Sequence, residues 1–297
     1  MADALDDPKK LWHYTSWRAC RAILSPGAGN VSRLWASDLG YMNDSSERHH
    51  AIDKLRALLS PDLDKAVGEM LSDAATHFRV HCISFSTESD SLSQWRAYGL
   101  EEGPQVAIGF DRDQLVEVTR IYGFKHVKCK YTDAEHDEVL KDIAMPLESA
   151  FARANAASPG GRSPDARGIL GWPLMFPIPM AAAQIKHEKF SDEQEERLIG
   201  PFRRMIPPLK VPPNVHPEAG FHDRRSLVVP HVAVPIDVAG YEFPVNAIRI
   251  GPTPHRAELE ASVKAWTGTL KRAHPKDAPM PIPDIQVRAS SIPFRNW

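Results

Sequence analysis

Proline placement constrains this chain more than any other feature of its sequence. Of 26 prolines in 297 residues, 14 fall between Pro173 and Pro254. A proline fixes φ and lacks the N–H that a helix or a central strand needs, so long helices are excluded there and irregular segments joined to edge strands are expected. The preceding half reads differently. Leu11–Tyr14 predicts a strand rich in aromatics. Thr15 or Ser16 caps a helix carrying Trp17, Cys20, Ile23 and Leu24, which Pro26-Gly27 ends. Leu34–Ser37 predicts a second strand, and Asn43–Glu47 a turn that opens a helix to Leu59, followed by another over Leu63–His77. Arg79–Ser86 has the make-up of a buried strand, Ser91–Tyr98 of a helical turn, and Val106–Phe110 of a strand before an acidic helix start near Asp111.

Further along, Val139, Ile143, Leu147 and Phe151 fall on one stripe of a helix over Tyr131–Asn155, and Ser158–Pro164 reads as an exposed loop. A helix segment over Met180–Lys186 leads towards a strand at Glu195–Phe202. Later strands are expected at Leu227–Ile236, Ala247–Gly251 and Ile285–Ala289, with a helix over His255–Arg272 between the last two. Elements in this order predict an α+β chain with a mixed or antiparallel sheet and surrounding helices. It reads as a single domain over residues 1–297, with a helical insertion and loop at about 131–185 and a Pro-rich C-terminal part from about 201.

Composition narrows the function classes. Thirty-six Lys+Arg against 38 Asp+Glu leave a formal charge of −2, which supplies no global field for polyanions. Three cysteines (Cys20, Cys82, Cys129) without C-x-x-C spacing predict neither a disulfide framework nor a cysteine zinc site. The start MADALDDPKK lacks the pattern of a secretory signal, and the apolar stretch Trp172–Ile185 is too short to span a bilayer, so a cytoplasmic location is expected. P-loop, nucleophile-elbow and H-E-x-x-H motifs are absent. Gly27-Ala28-Gly29 follows a predicted helix rather than a strand and lacks the third glycine of a dinucleotide fingerprint. His49, His50, His81 and Cys82 with Glu47 read as two exposed helix histidines and a buried strand pair. No metal is expected from them.

Three constellations carry chemistry. His13 and Tyr14 are strand neighbours, so they point to opposite faces. Ser84 and Ser86 share one face of an apolar strand, which then meets a cleft or a hydroxyl network. Beyond them, Trp95 and Tyr98 form an aromatic pair on a helical turn, with Arg96 offset. In the third, Lys186-His187-Glu188-Lys189-Phe190 leads into Glu193-Gln194-Glu195-Glu196-Arg197. If extended, that run projects Glu193, Glu195 and Arg197 from one face. Two carboxylates beside an arginine allow one acid to be held by charge and the other to act on a substrate.

The succession LWHYTS, NDSSE, SQWRAYG, VAIGF, EQEERLI, IRIGP and ASSIPFR resembles the bacterial family catalogued as domain of unknown function 2971, with Glu196 standing where that family usually carries an aromatic. The layout is also similar to the ADP-ribosyltransferase superfamily. That similarity implies a split β-sheet that binds NAD as a substrate, in a cleft between two half-sheets. It further implies that Glu195 stabilises the ribosyl cation, Glu193 orients or deprotonates the acceptor, and His13 bonds a ribose hydroxyl or the nicotinamide amide. Ser84 would position Glu195, with Tyr14 and Ser86 nearby; Trp95 or Tyr98 would stack on nicotinamide, and Arg96 or Arg197 would meet the pyrophosphate. The function so implied is ADP-ribosyl transfer or NAD glycohydrolysis, in a toxin or phage-defence effector, with a protein, a nucleic acid or water as acceptor and no membrane partner. Two alternatives are a non-catalytic nucleotide- or protein-binding module and a metal-dependent hydrolytic toxin using Asp38, Asp44, Glu47 and Glu195.

Overall fold

The computed structural model describes residues 5–25, 31–41, 45–77, 80–98, 103–157, 177–200, 215–224, 227–273 and 282–294, with the backbone alone at 45–48, 73–77, 224 and 271–273. The expected loop at 158–164, Gly27-Ala28-Gly29, Gly99, Asp44, the Glu47 side chain, residues 172–176 and, in the Pro-rich part, residues 201–214 and 274–281 lie outside the described residues.

The elements follow in order: β1 (Lys10–Ser16), α1 (Trp17–Leu24), β2 (Arg33–Asp38), α2 (Ser45–Ala57), α3 (Pro61–His77), β3 (His81–Ser86), α4 (Leu92–Tyr98), β4 (Gln105–Asp111), α5 (Arg112–Arg120) and β5 (Lys125–Lys128). Next come α6 (Asp133–Ala156), α7 (Pro177–Ala182), β6 (Glu195–Gly200), β7 (Glu218–Arg224), β8 (Leu227–Pro235), β9 (Val245–Ile250), α8 (Arg256–Ala273) and β10 (Gln286–Ala289). Local chemistry explains the boundaries. Ser16 rather than Thr15 caps α1, its hydroxyl accepting from the Ala19 N–H at 3.2 Å. Asp111 caps α5 in the same way at 3.0 Å. Thr132 and Glu135 form a reciprocal capping box at the start of α6.

The fold is α+β, built on a mixed, mostly antiparallel sheet whose path runs β10-β9-β4-β1-β3-β2-β8-β7, with β6 and β5 attached to β3. Only β9–β10 is parallel among the named pairs. β3 pairs along its whole length with β6, from His81↔Gly200 to Ser86↔Glu195. A strand has two edges, so β1 and β2 must share the other one. β1 meets β3 only at Trp12↔Ser86, and β2 only at Ser37↔Cys82 and Asp38↔His81. The sheet therefore divides between β1 and β2, leaving the middle of β3 open on that edge.

One face of this sheet buries Leu11, Ile83, Phe85, Val106, Ile108, Phe110, Leu198 and Val234 with Leu24 of α1, Leu115 and Val118 of α5 and Val263 of α8. Each fully buried large side chain contributes about 1.5–3 kcal/mol. A second cluster joins α2, α3, α6 and α7 through residues such as Leu55, Val67, Leu147 and Ile178. On the opposite face of β4, the Trp12 ring lies over Gly109, where an added Cβ would come within 2.9 Å of the indole. No helix among the described residues is long and apolar enough to cross a membrane.

Two strands were not expected. β5 (KHVK) is four residues long and half lysine, too short and polar to alternate visibly. β7 (EAGFHDR) is an edge strand beside the prolines, stabilised by its pairing with β8 rather than by an apolar face. A third difference concerns the acidic run. Residues Glu188–Glu193 form a 3₁₀ turn, and Gln194 takes a left-handed φ of 44°, so the extended segment starts at Glu195. Glu193 thus does not share a pleat with Glu195.

Candidate functional site

Where β1 and β2 part, a cavity of about 760 Å³ opens, a size that suits a small-molecule ligand. Its walls include His13, Tyr14, Ser84, Ser86, Tyr98, Glu193, Glu195 and Arg197. Residues more than 180 positions apart in sequence thus meet at one place. Trp95 and Arg96 are not on these walls.

His13 is fixed by the open edge of β3. Its Nδ1 lies 3.0 Å from the Ser84 carbonyl oxygen, which can only accept, so Nδ1 carries the proton. Burial pushes the imidazole pKa below its ordinary value despite that bond. The ring is therefore held neutral with Nε2 as a bare acceptor. Tyr14, in contrast, is fully engaged: its hydroxyl donates to the Glu88 carbonyl at 2.7 Å and accepts from the Ser91 N–H at 3.0 Å.

Ser84 and Ser86 face the same way, as their spacing predicts, but differ in bonding. Ser86 Oγ donates to the Glu193 carbonyl at 2.8 Å and accepts from the Glu88 N–H at 3.1 Å. Ser84 Oγ is buried with no hydrogen-bond partner among the described residues. It does not hold Glu195, contrary to the role implied for it. An unbonded buried hydroxyl costs about 1–3 kcal/mol, and on a cavity wall it is a polar group left for a ligand.

The register of β3 with β6 puts Glu195 opposite Ser86 and Arg197 opposite Ser84, on the same face as those serines. Glu195 is 5% exposed and neutralised from two sides. Arg197 Nε donates to Oε1 at 2.7 Å, and Lys186 Nζ to Oε2 at 2.5 Å. Burial alone would raise the carboxyl, but Arg197 and Lys186 outweigh it and hold the pKa at about 2. Arg197 also donates to the Ala183 carbonyl at 2.8 Å, so its guanidinium is engaged on more than one side. Lys186 completes the cluster. Burial would lower its pKa, yet Glu195 and Glu193 raise it above the ordinary value, and its ammonium joins both carboxylates. Glu193 and Glu195 therefore converge through a shared cation instead of a shared strand face. Glu193 is the more accessible, with 21% of its side chain exposed. Glu196 points to the opposite side, onto His126 at 2.6 Å and Arg112 at 3.1 Å, and is not on the cavity wall.

The other sequence candidates separate. Tyr98 reaches the cavity, whereas Trp95 packs edge-on against Tyr14, centroids 4.5 Å apart, and donates to Asp90 at 2.9 Å. With Arg96 off the walls and Arg197 engaged by Glu195, neither arginine matches the free phosphate fork expected of it. Of the residues gathered for a metal, Asp38 accepts from the Gly40 N–H at 2.8 Å, and Glu195 already meets two cations. Sequence reasoning missed Lys186 as a site residue, along with Arg33, Trp35 and Phe190, all on the cavity wall. Arg33 donates to the His216 carbonyl at 2.7 Å and pairs with exposed Glu218 at 3.0 Å. A lysine entering a strand that begins Glu-x-Arg was the available signal for Lys186.

No curated protein and no solved structure matches the chain. A likeness to ADP-ribosyltransferases is no part of what the one family match shows. That match covers about a third of the chain, from Gln94 through Tyr98 at the cavity to Glu195 and Arg197. Residues 94–198 match the model of the family described as Protein of unknown function (DUF2971), which bears out the resemblance to that family over this span.

Proposed function

We propose that the chain consumes NAD, breaking the nicotinamide N-glycosidic bond and passing ADP-ribose to an acceptor or to water. One observation carries this reading: His13, Ser84, Glu193 and Glu195 line a single cleft where the sheet divides. The donor set suits a ribose. The neutral Nε2 of His13 can accept a ribose hydroxyl or an amide N–H, and the unpartnered Ser84 hydroxyl can donate or accept beside it. Tyr98 and Phe190 offer rings on the same wall. Arg33, on the same cavity, takes the phosphate role in place of Arg96 or Arg197: a guanidinium fork matches phosphate oxygens, and while its Nη1 is held by the His216 carbonyl, the Glu218 paired with its Nη2 is exposed.

In the reaction the C1′–N bond breaks, and its electron pair goes to the pyridinium, which leaves as neutral nicotinamide. Positive charge builds on the ribosyl carbon, where a carboxylate is most useful. The acceptor oxygen or nitrogen bonds to C1′ and releases its proton to a carboxylate or to solvent. Glu193 fits the contact with substrate better than Glu195, because among the described residues only Lys186 holds its carboxylate and it is the more exposed of the two. Glu195 then acts by positioning Lys186 and Arg197. A toxin or phage-defence role, and a cytoplasmic site of action on the NAD pool, belong to the same proposal.

The test is nicotinamide release from NAD by the full chain. Glu193→Gln is expected to lose about 100-fold or more of the rate, the scale on which a positioned charged or acid–base group acts. Release by the wild type no faster than by Glu193→Gln or Glu195→Gln overturns the proposal. The double neutralisation of Glu195 favours one second reading, a binding module that keeps the cleft without turnover. Tight NAD binding by calorimetry with no nicotinamide released would select it.

A further inference from the structure

Away from the cleft, the helical lobe brings His50 of α2 together with Asp133 and His136 of α6, and ligand-capable atoms of the three lie within 4.8 Å of one another. Asp133 and His136 are three apart on α6 and so share a face. His136 is 2% exposed. Its Nε2 lies 2.8 Å from the Lys130 carbonyl oxygen and 3.1 Å from that of Lys186. Carbonyls only accept, so Nε2 is the donor and Nδ1 is the remaining position. Nδ1 is buried and has no hydrogen-bond partner among the described residues.

A ring oriented by carbonyls through one nitrogen, with the other left unbonded, is how metal-ligating histidines are held. The His50 ring stands edge-on to that of His136, with centroids 5.8 Å apart. Asp133 gives one oxygen to Lys54 Nζ at 2.5 Å, leaving the second for an ion.

From these residues we propose that His50, Asp133 and His136 bind a divalent transition-metal ion of the zinc class. Two imidazoles and a carboxylate suit zinc, cobalt or nickel, and three protein ligands leave a coordination position open. Lys54 opposes the ion by charge and competes for Asp133, so its removal strengthens the site. The site also touches the cleft through the backbone of Lys186, since His136 is held by that residue's carbonyl. The proposal does not depend on NAD turnover.

The test uses the full chain, stripped with chelator and titrated with zinc chloride by calorimetry, with Co²⁺ absorption as a spectroscopic readout of His coordination. The expected result is one ion per chain. His50→Ala and Asp133→Asn, both at exposed positions, should each weaken binding by more than the ~100-fold that loss of an outer-shell partner can cost. Lys54→Met should tighten it. Absence of a stoichiometric ion, or affinity unchanged in both His50→Ala and Asp133→Asn, overturns the proposal.

Discussion

Replacing Glu195 by glutamine keeps the shape of the side chain and removes its charge, leaving Lys186 and Arg197 facing each other across a buried site. Two routes give the magnitude. The carboxyl lies at about 2 instead of the ordinary 4.5, and at about 1.4 kcal/mol per pH unit that gap is on the order of 3 kcal/mol of folding free energy. Removing one member of a buried ion pair independently costs about 3–5 kcal/mol. Because the folded pKa is depressed, this stability is fully present above pH 4.5 and is lost as pH falls from there through about 2. Glu195→Gln lacks it at every pH. Urea unfolding of both proteins near about pH 7 and about pH 3 should show the gap between them narrowing on acidification. Adding Arg197→Met to the variant should restore part of the loss, since the unpaired charge causes much of it. A penalty under about 1 kcal/mol at neutral pH, or one independent of pH, would refute the description of Glu195 as the anion between two buried cations.

Other outcomes separate binding from architecture. Ser84→Ala removes an unbonded buried hydroxyl, so thermal stability should hold or rise while NAD affinity falls; a fall in both would show that the hydroxyl is structural. Ser86→Ala breaks bonds to Glu193 and Glu88 and should cost about 1–2 kcal/mol by chemical unfolding. His13→Ala should raise the KM for NAD, whereas Trp95→Phe should cost stability through the lost Asp90 bond and leave KM unchanged. Chelator is expected to leave nicotinamide release intact while lowering the melting temperature of the metal-loaded chain.

Much of the fold was legible wherever periodicity is local. β1, α1, β3, β4 and α6 follow from alternation, caps and stripes that lie within a few residues of one another. β5 and β7 were not, because their stability comes from partners far away in sequence and neither has an apolar face to display. The site shows the same division. His13 and the two serines could be placed on strand faces from spacing alone. The pairing of Glu193 with Glu195 could not, because the left-handed Gln194 breaks the period-two pattern and Lys186 re-forms the pair by charge. Trp95 was read as a platform, but its ring packs edge-on against Tyr14 and its N–H donates to Asp90, partners that lie outside the helical turn on which the reading rested. His136 went unnoticed because its partner His50 lies on another helix.

The single rung at Trp12↔Ser86 has a mechanical consequence. Along the sheet, β10, β9, β4 and β1 join β3 by that one backbone rung, reinforced by the imidazole that spans to Ser84, by the Tyr14 hydroxyl bonded to Glu88 and Ser91, and by the core that packs Leu11 and Phe110 with Ile83 and Phe85. The aperture between the two halves is thus set by side-chain bonds and shared core packing more than by backbone ladders. A ligand that displaces His13 from the Ser84 carbonyl would reach the edge of β3 there without breaking a strand-to-strand ladder.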